Sequence, residues 1–193
     1  MRRWAWLLAG MILTLAGLGA GCLAVIEAGA FDARASTPHD IITAWSTHTT
    51  MIHSMKRSAR DVHPPAAFTA TETVAGLRIY ERECLECHGG PGVARAKWVR
   101  GMNPSPPFLM DASRRWSKGQ LFWVIKNGVK MTGMPAWGLT ESDGRIWDLV
   151  AFLEAMPEMK PADFQRLQVQ MNPPANSRQV SGASAGRESA GSE

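Results

Sequence analysis

CLECH, at residues 84–88, is the most informative stretch of this chain. Two cysteines with two residues between them, followed at once by a histidine, form the C-x-x-C-H pattern of covalent haem attachment. The spacing lets the thiols of Cys84 and Cys87 reach the two vinyl groups of one porphyrin and form thioethers. The imidazole of His88 then lies under the ring, where a nitrogen can bind the iron. The stretch therefore predicts one covalently attached haem c.

Other uses of a C-x-x-C pair fit this sequence less well. A structural zinc site needs a second pair of Cys or His ligands at similar spacing, but the remaining cysteine, Cys22, lies in an apolar segment. A thioredoxin-like redox pair belongs in a βαβ unit, and the sequence has no clear strand pattern. Haem attachment is therefore the favoured interpretation.

The overall composition limits the class of protein. With 193 residues the chain has room for one domain of ordinary size and its extensions. Its three cysteines are too few for a disulfide scaffold. The formal net charge of +4 is mild and suits an acidic face of a protein partner or an anionic membrane surface. Nucleic acid is not an expected partner, because no basic motif with interleaved aromatic residues is present.

The N-terminal segment has the features of a membrane anchor. After arginines at positions 2 and 3, residues 4–26 form an uncharged run long enough to span a bilayer as one helix, and Glu27 ends it. The positive-inside tendency keeps both arginines in the cytoplasm. We therefore expect residues 1–30 to form a single-pass anchor in a bacterial inner membrane, with the haem domain in the periplasm.

Two other interpretations of this segment remain. A cleaved signal peptide would use the small residues Ala28-Gly29-Ala30, although the apolar run is longer than the usual signal sequence. A lipoprotein would use Cys22, but Gly19 stands where a branched apolar residue is usual. An uncleaved anchor is favoured. All three interpretations export the rest of the chain, and haem c is attached on the exported side.

Downstream of the anchor the sequence divides into three parts. Residues 31–69 form a polar, partly helical connecting segment, residues 70–160 the haem domain, and residues 161–193 a flexible C-terminal tail. The fold class is all-α, because apolar periodicity and helix-ending residues predict helices at residues 41–60, 71–84, 116–127 and 140–155. Ser117 and Thr140 are the expected N-caps of the last two of these helices.

The second axial ligand of the iron is expected from a loop after the third of these helices. Met134 lies between Gly133, which frees the backbone, and Pro135, which keeps Met134 extended and out of a helix. The alternatives are Met131, a histidine, or an open site. Ligation by histidine and methionine raises the reduction potential of haem iron. It also fills the coordination site, which argues against substrate chemistry at the metal.

The CLECH motif, the Gly-Met-Pro loop and the final aromatic helix together resemble a class I cytochrome c domain over residues 70–160. The resemblance implies that the first and last helices cross near the haem edge. Gly76 and Tyr80 match the contact positions of the first helix, and Trp147, Val150 and Phe152 those of the last. The whole chain also resembles bacterial membrane-anchored mono-haem cytochromes with a short histidine-containing segment before the haem domain.

The same resemblance implies a partner for the ligand histidine. In this family a proline carbonyl accepts the Nδ1 proton of that histidine, and Pro107 is the best match, with Pro106 as the alternative. Such a hydrogen bond orients the imidazole and makes it a stronger ligand.

The remaining histidines and a group of basic residues have no assigned role. His39, His48, His53 and His63 precede the haem domain and are interpreted as surface residues, with copper binding by a His/Met set as the alternative. We hypothesise that five basic residues form a face that steers acidic partners toward the haem edge: Arg114, Arg115, Lys118, Lys126 and Lys130.

These features predict electron transfer by a membrane-anchored mono-haem cytochrome c, a carrier and not an enzyme in isolation. No acid/base pair or nucleophile accompanies the haem motif. The expected partners are redox proteins, including a membrane oxidase or reductase complex. The alternatives are a cytochrome subunit of a larger membrane oxidoreductase, and a haem sensor or peroxidase-like protein in which the methionine leaves the iron.

Overall fold

The computed structural model describes residues 2–171, which form helices and loops without a strand in that range. The chain divides into two compact units, of which the first ends at His39 and the second begins at Asp40. The first unit contains helix α1 (Arg2–Glu27). Its residues Arg3–Glu27 have a mean hydropathy of 2.1 in the most apolar window, so this helix is long and apolar enough to cross a membrane.

The second unit contains seven helices within the described residues. Short 3₁₀ turns at Lys97–Gly101, Trp137–Leu139 and Met156–Glu158 lie between or after them. The helices are α2 (Ile41–Ser58), α3 (Ala70–Glu83), α4 (Leu85–His88), α5 (Ala112–Arg115), α6 (Lys118–Asn127), α7 (Asp143–Ala155) and α8 (Pro161–Met171).

Side-chain caps define where the longer helices begin. The predicted cap of α6 is confirmed, because the Ser117 hydroxyl accepts from the Gln120 amide and the Gln120 side chain accepts from the Ser117 amide. The predicted cap of α7 is wrong. The Ser142 hydroxyl accepts from the Arg145 amide and caps the helix. Thr140 instead closes the preceding 3₁₀ turn, because its amide N–H donates to the Trp137 carbonyl.

Helices α3 and α7 cross at close range, as the resemblance implies. A Cβ on Gly76 would lie 1.9 Å from the Asp148 carbonyl oxygen, so only glycine allows this approach of the two backbones. Beside this point the rings of Tyr80 and Phe152 pack with centroids 5.0 Å apart. On the other face of α7, Trp147 stacks on Phe122 of α6 at 4.2 Å. The crossing positions the end of α3, where the CLECH motif begins.

Helix α2 belongs to the haem-domain unit, although the sequence analysis placed it in a connecting segment. It packs against α6, and Met55 and Ala59 are buried there. Just after α2 the chain also passes close to Gly119 of α6, where a Cβ would lie 3.2 Å from the Val62 carbonyl oxygen. The connecting segment therefore supplies core residues.

The start of the predicted flexible tail also differs from the structure. Residues 161–171 form helix α8, and its Phe164 is fully buried in the main hydrophobic core, 6.3 Å from the Phe152 ring. Burial of this aromatic ring stabilises a helix of otherwise polar composition. The rest of the predicted tail, residues 172–193, lies outside the described residues.

Candidate haem site

The two cysteines of CLECH lie at the junction of α3 and α4. The amide of Cys84 donates to the Tyr80 carbonyl at 2.9 Å, and the amide of His88 donates to the Cys84 carbonyl at 2.9 Å. One helical turn thus carries Cys84, Cys87 and His88 in sequence. Both thiols are free, with Cys84 buried and Cys87 half-buried.

Burial favours uncharged sulfur at both positions. It raises the pKa of the Cys84 thiol to about 12, with the nearby Glu83 charge as a smaller cause, and it also raises the pKa of Cys87. A thioether is likewise uncharged, so attachment of each sulfur to a porphyrin keeps the buried site neutral. The environment suits attachment better than thiolate chemistry.

Tyr80 connects α3 to the residue that follows His88. Its hydroxyl, fully buried, donates to the Gly89 carbonyl at 2.6 Å. Burial raises the pKa of Tyr80, so the hydroxyl keeps its proton and remains a donor. Gly89 itself has a φ of 69°, a left-handed conformation that ends α4 directly after His88.

His88 has its Nδ1 atom 2.7 Å from the Pro107 carbonyl oxygen. A carbonyl can only accept, so Nδ1 carries the proton and Nε2 keeps its lone pair for a metal. Burial lowers the pKa of His88, and the positive charge of Arg95 adds to that shift, while the bond to Pro107 opposes it. The neutral imidazole is the form that binds a metal. The carbonyl next to His88 Nδ1 is that of Pro107, the better of the two family matches. The Pro106 carbonyl accepts a hydrogen bond from Arg95 instead.

The loop that carries Met134 is closed by its own hydrogen bonds. The Met134 amide donates to the Thr132 hydroxyl at 3.1 Å, and that hydroxyl donates to the Val129 carbonyl at 2.7 Å. The Val129 amide donates in turn to the Met134 carbonyl at 3.2 Å. Gly128 makes this turn possible, because its φ is 66° and a Cβ would lie 2.6 Å from the Pro135 carbonyl oxygen.

The two methionines of this loop lie in different environments. Met134 is half-buried and packs against the hydrophobic core that includes Cys84. Met131 is 87 % exposed and has a φ of 61°, a conformation that non-glycine residues rarely adopt. The structure therefore favours Met134 over Met131 as a ligand candidate.

The residues present fit a covalently bound haem. They comprise two neighbouring free sulfurs in an uncharged environment, an imidazole with Nε2 unprotonated, and a thioether on the core shared with Cys84. When bound, haem iron supplies a one-electron couple between its ferric and ferrous states. In that case the two sulfurs would hold the group, and His88 and Met134 would be the residues available as its ligands.

The histidines before the haem domain do not assemble into a further site. All four are exposed: His39, His48, His53 and His63. Within residues 2–171 no three His, Cys, Asp or Glu side chains come together in a way that could hold a metal ion. The copper hypothesis gains no support from the part of the chain that is described.

The predicted basic face is largely paired with acidic neighbours. Four of its five members lie within ion-pair distance of a carboxylate, which lowers the net positive charge that a partner would meet. Lys130 is exposed, with no such pair among the described residues. The pairs are Arg114 with Glu158 at 2.6 Å, Arg115 with Asp111 at 2.9 Å, Lys118 with Glu154 at 4.0 Å and Lys126 with Asp143 at 2.6 Å.

Sequence reasoning did not identify Arg95 as part of this site. Its guanidinium donates to the Pro106 carbonyl and, at 3.3 Å, to the Ser105 hydroxyl. It also lies 4.1 Å above the Phe108 ring. An arginine in a Gly- and Pro-rich loop gives no sequence signal of its own, since its partners depend on the path of that loop.

Residues 71–153 match a family model described as cytochrome c oxidase, cbb3-type, subunit III. No curated protein matches the sequence. This part of the chain is a cytochrome c domain, consistent with class I, as the sequence predicted. Such a domain implies a covalently bound c-type haem and electron transfer through it.

Proposed function

We propose that this protein is a membrane-anchored electron carrier with one haem c, held by Cys84 and Cys87 and ligated by His88 and Met134. Helix α1 anchors it in a bacterial inner membrane, and the haem domain faces the periplasm. The protein passes single electrons between redox partners. It performs no reaction on a substrate by itself.

The hydrogen bond between His88 Nδ1 and the Pro107 carbonyl carries this proposal. It fixes the tautomer, leaves Nε2 as the metal-binding atom and increases the basicity of the imidazole. Such a bond orients histidines at other kinds of site as well, and it points to haem here because His88 directly follows the free cysteines Cys84 and Cys87 of the C-x-x-C-H motif.

The Met134 loop argues for electron transfer and against chemistry at the iron. Its four internal hydrogen bonds, among Val129, Thr132 and Met134, hold the backbone that carries the thioether. A ligand held in this way keeps the distal position filled in both oxidation states. Substrates and small ligands then have no open position, and little reorganisation accompanies electron transfer.

A second candidate function is that of a cytochrome subunit in a larger membrane oxidoreductase. The observation in its favour is the match of residues 71–153 to a family described as an oxidase subunit. Purification from membranes in a mild detergent separates the two functions. A carrier elutes alone, whereas a subunit elutes with a stable set of other polypeptides.

The experiment that tests the proposal is an optical spectrum of the full chain, produced with haem-attachment machinery. We expect a low-spin oxidised form with a sulfur-to-iron charge-transfer band, and no change when carbon monoxide is added to the reduced form. A high-spin spectrum or ready binding of carbon monoxide would support the haem sensor or peroxidase-like alternative.

A further inference from the structure

Arg95 lies beside the contact between His88 and Pro107 and is connected to both sides of it. Its backbone neighbour is fixed to the haem motif, because the Ala96 amide donates to the Glu86 carbonyl at 2.9 Å. Its guanidinium reaches across to the other side, where it donates to the Pro106 carbonyl. Arg95 thus links the CLECH helix to the loop that supplies the carbonyl partner of His88.

The loop at residues 104–108 has few means of holding itself in place. Its sequence is Pro-Ser-Pro-Pro-Phe, so three of its five residues have no backbone N–H to donate. The backbone amides of Ser105 and Phe108 form no hydrogen bond to another backbone group in the described part of the chain. Contacts from outside the loop must therefore position the Pro107 carbonyl.

Arg95 supplies three such contacts. Besides the bond to Pro106, it donates to the Ser105 hydroxyl at 3.3 Å, and its guanidinium stacks on the Phe108 ring at 4.1 Å. These three residues surround Pro107 on both sides in sequence. The carbonyls of Pro106 and Pro107 are consecutive, so a displacement of the first moves the second.

We propose that Arg95 is a positioning residue that holds the Pro107 carbonyl against the Nδ1 proton of His88. This inference rests on the proposed function, since it assigns Arg95 a role toward a haem-ligating histidine. Without the guanidinium, loop 104–108 loses two hydrogen bonds and a ring contact that join it to the segment fixed on the haem motif. The hydrogen bond on His88 then opens more often, and the imidazole becomes a less firmly oriented ligand.

The test uses the full-length haem-bound protein in its reduced, diamagnetic form and measures hydrogen exchange of the His88 Nδ1 proton by NMR. Exchange of this proton requires its bond to Pro107 to open. In Arg95→Met we expect exchange to be several-fold faster than in the wild type. Arg95→Lys keeps the charge and one donor, so we expect an intermediate rate, which also serves if the first variant does not accumulate.

Arg100→Met is the matched control. Arg100 lies in the same segment and is exposed, and its side chain forms no hydrogen bond or ion pair with any described residue. Its replacement removes the same charge without touching loop 104–108, so the exchange rate should remain that of the wild type. Amide protons of α3 serve as an internal control, because general destabilisation would accelerate them as well.

Unchanged exchange of the His88 proton in Arg95→Met would overturn the proposal, as would equal acceleration in Arg100→Met. The same spectra test the proposed function separately. Ring protons of a haem-ligating histidine are shifted strongly by the porphyrin ring current. Absence of that shift in the wild type would show that His88 is not a ligand and would overturn both proposals.

Discussion

Burial favours the uncharged form of the three titratable side chains of CLECH that a haem would engage. It raises the pKa of the Cys84 and Cys87 thiols and lowers the pKa of His88, so the uncharged form is favoured in every case. These are the forms in which sulfur can sit in an apolar pocket and imidazole can bind iron. The local environment and the C-x-x-C-H motif therefore point to the same chemistry.

Asp148 is an acid outside the haem motif at which burial also disfavours the charged form. Burial on α7 raises its pKa, and the nearby Glu72 charge adds to the shift. An acid whose pKa is higher in the folded protein binds its proton more tightly there, so stability is lost as pH rises through the folded pKa. We predict that Asp148→Asn raises the urea midpoint of unfolding at pH 7.

The pH dependence distinguishes this explanation from a general effect of the amide. The gain from Asp148→Asn should shrink when unfolding is repeated near pH 3, below the ordinary pKa of 3.8, where the carboxyl of the wild type is largely protonated in both states. A gain of equal size at both pH values would mean that ionisation of Asp148 is not its cause.

At the level of residues, much of the candidate site could be predicted from the sequence. The cysteines, His88 and Met134 stand in local motifs, and Pro107 follows from the family resemblance. Arg95 could not be predicted, because its contacts join residues ten to thirteen positions apart through an irregular loop. No periodic pattern encodes such a contact.

At the level of elements, the crossing of α3 and α7 depends on one glycine. We predict that Gly76→Ala lowers the free energy of unfolding by ~1–3 kcal/mol or more, since the added methyl would overlap the Asp148 backbone. Chemical unfolding followed by circular dichroism measures the loss. Haem attachment should also fall, because the crossing positions the start of CLECH.

Gly144→Ala is the control for that substitution. Gly144 lies in α7 with no atom within 4 Å of an added Cβ. Here alanine should stabilise the helix by up to ~1 kcal/mol through its better propensity. If both substitutions had the same sign, the crossing would not be the reason for the effect at Gly76.

Helix α8 gives a second prediction at this scale. Phe164→Ala removes a fully buried ring from the main core, so we expect a loss of ~3–5 kcal/mol in the free energy of unfolding. Val169→Ala, at a position 59 % exposed on the same helix, should change it by less than ~0.5 kcal/mol. Urea titrations of the two variants would contradict this account if their losses were alike.

Two errors of the sequence analysis have physical reasons at this scale. Helix α8 was missed because its composition is polar, although Phe164, Leu167 and Met171 recur at helical spacing and all pack on the core. The cap of α7 was misplaced because Thr140 and Ser142 are both suitable hydroxyl residues, and only the 3₁₀ turn ahead of them decides between the two.

At the level of the whole molecule, the account predicts an uncleaved anchor. Helix α1 is long and apolar enough to cross a membrane. We therefore expect the protein, detected by haem staining of a gel, to stay in the membrane fraction after washing with high salt and alkaline carbonate. Protease added to spheroplasts should degrade the haem domain. Release of a shortened haem protein by osmotic shock alone would instead indicate a cleaved signal peptide, and resistance to the protease would contradict the periplasmic orientation.

The central claim is that Met134 fills the distal position of a haem ligated by His88. Binding of carbon monoxide to the reduced protein tests it most directly, with Met131→Ala as the control for Met134→Ala. We predict that the wild type and Met131→Ala bind no carbon monoxide, since Met131 is exposed, and that Met134→Ala binds it readily and has a lower reduction potential. Failure of Met134→Ala to bind carbon monoxide, or binding by Met131→Ala, would contradict the account.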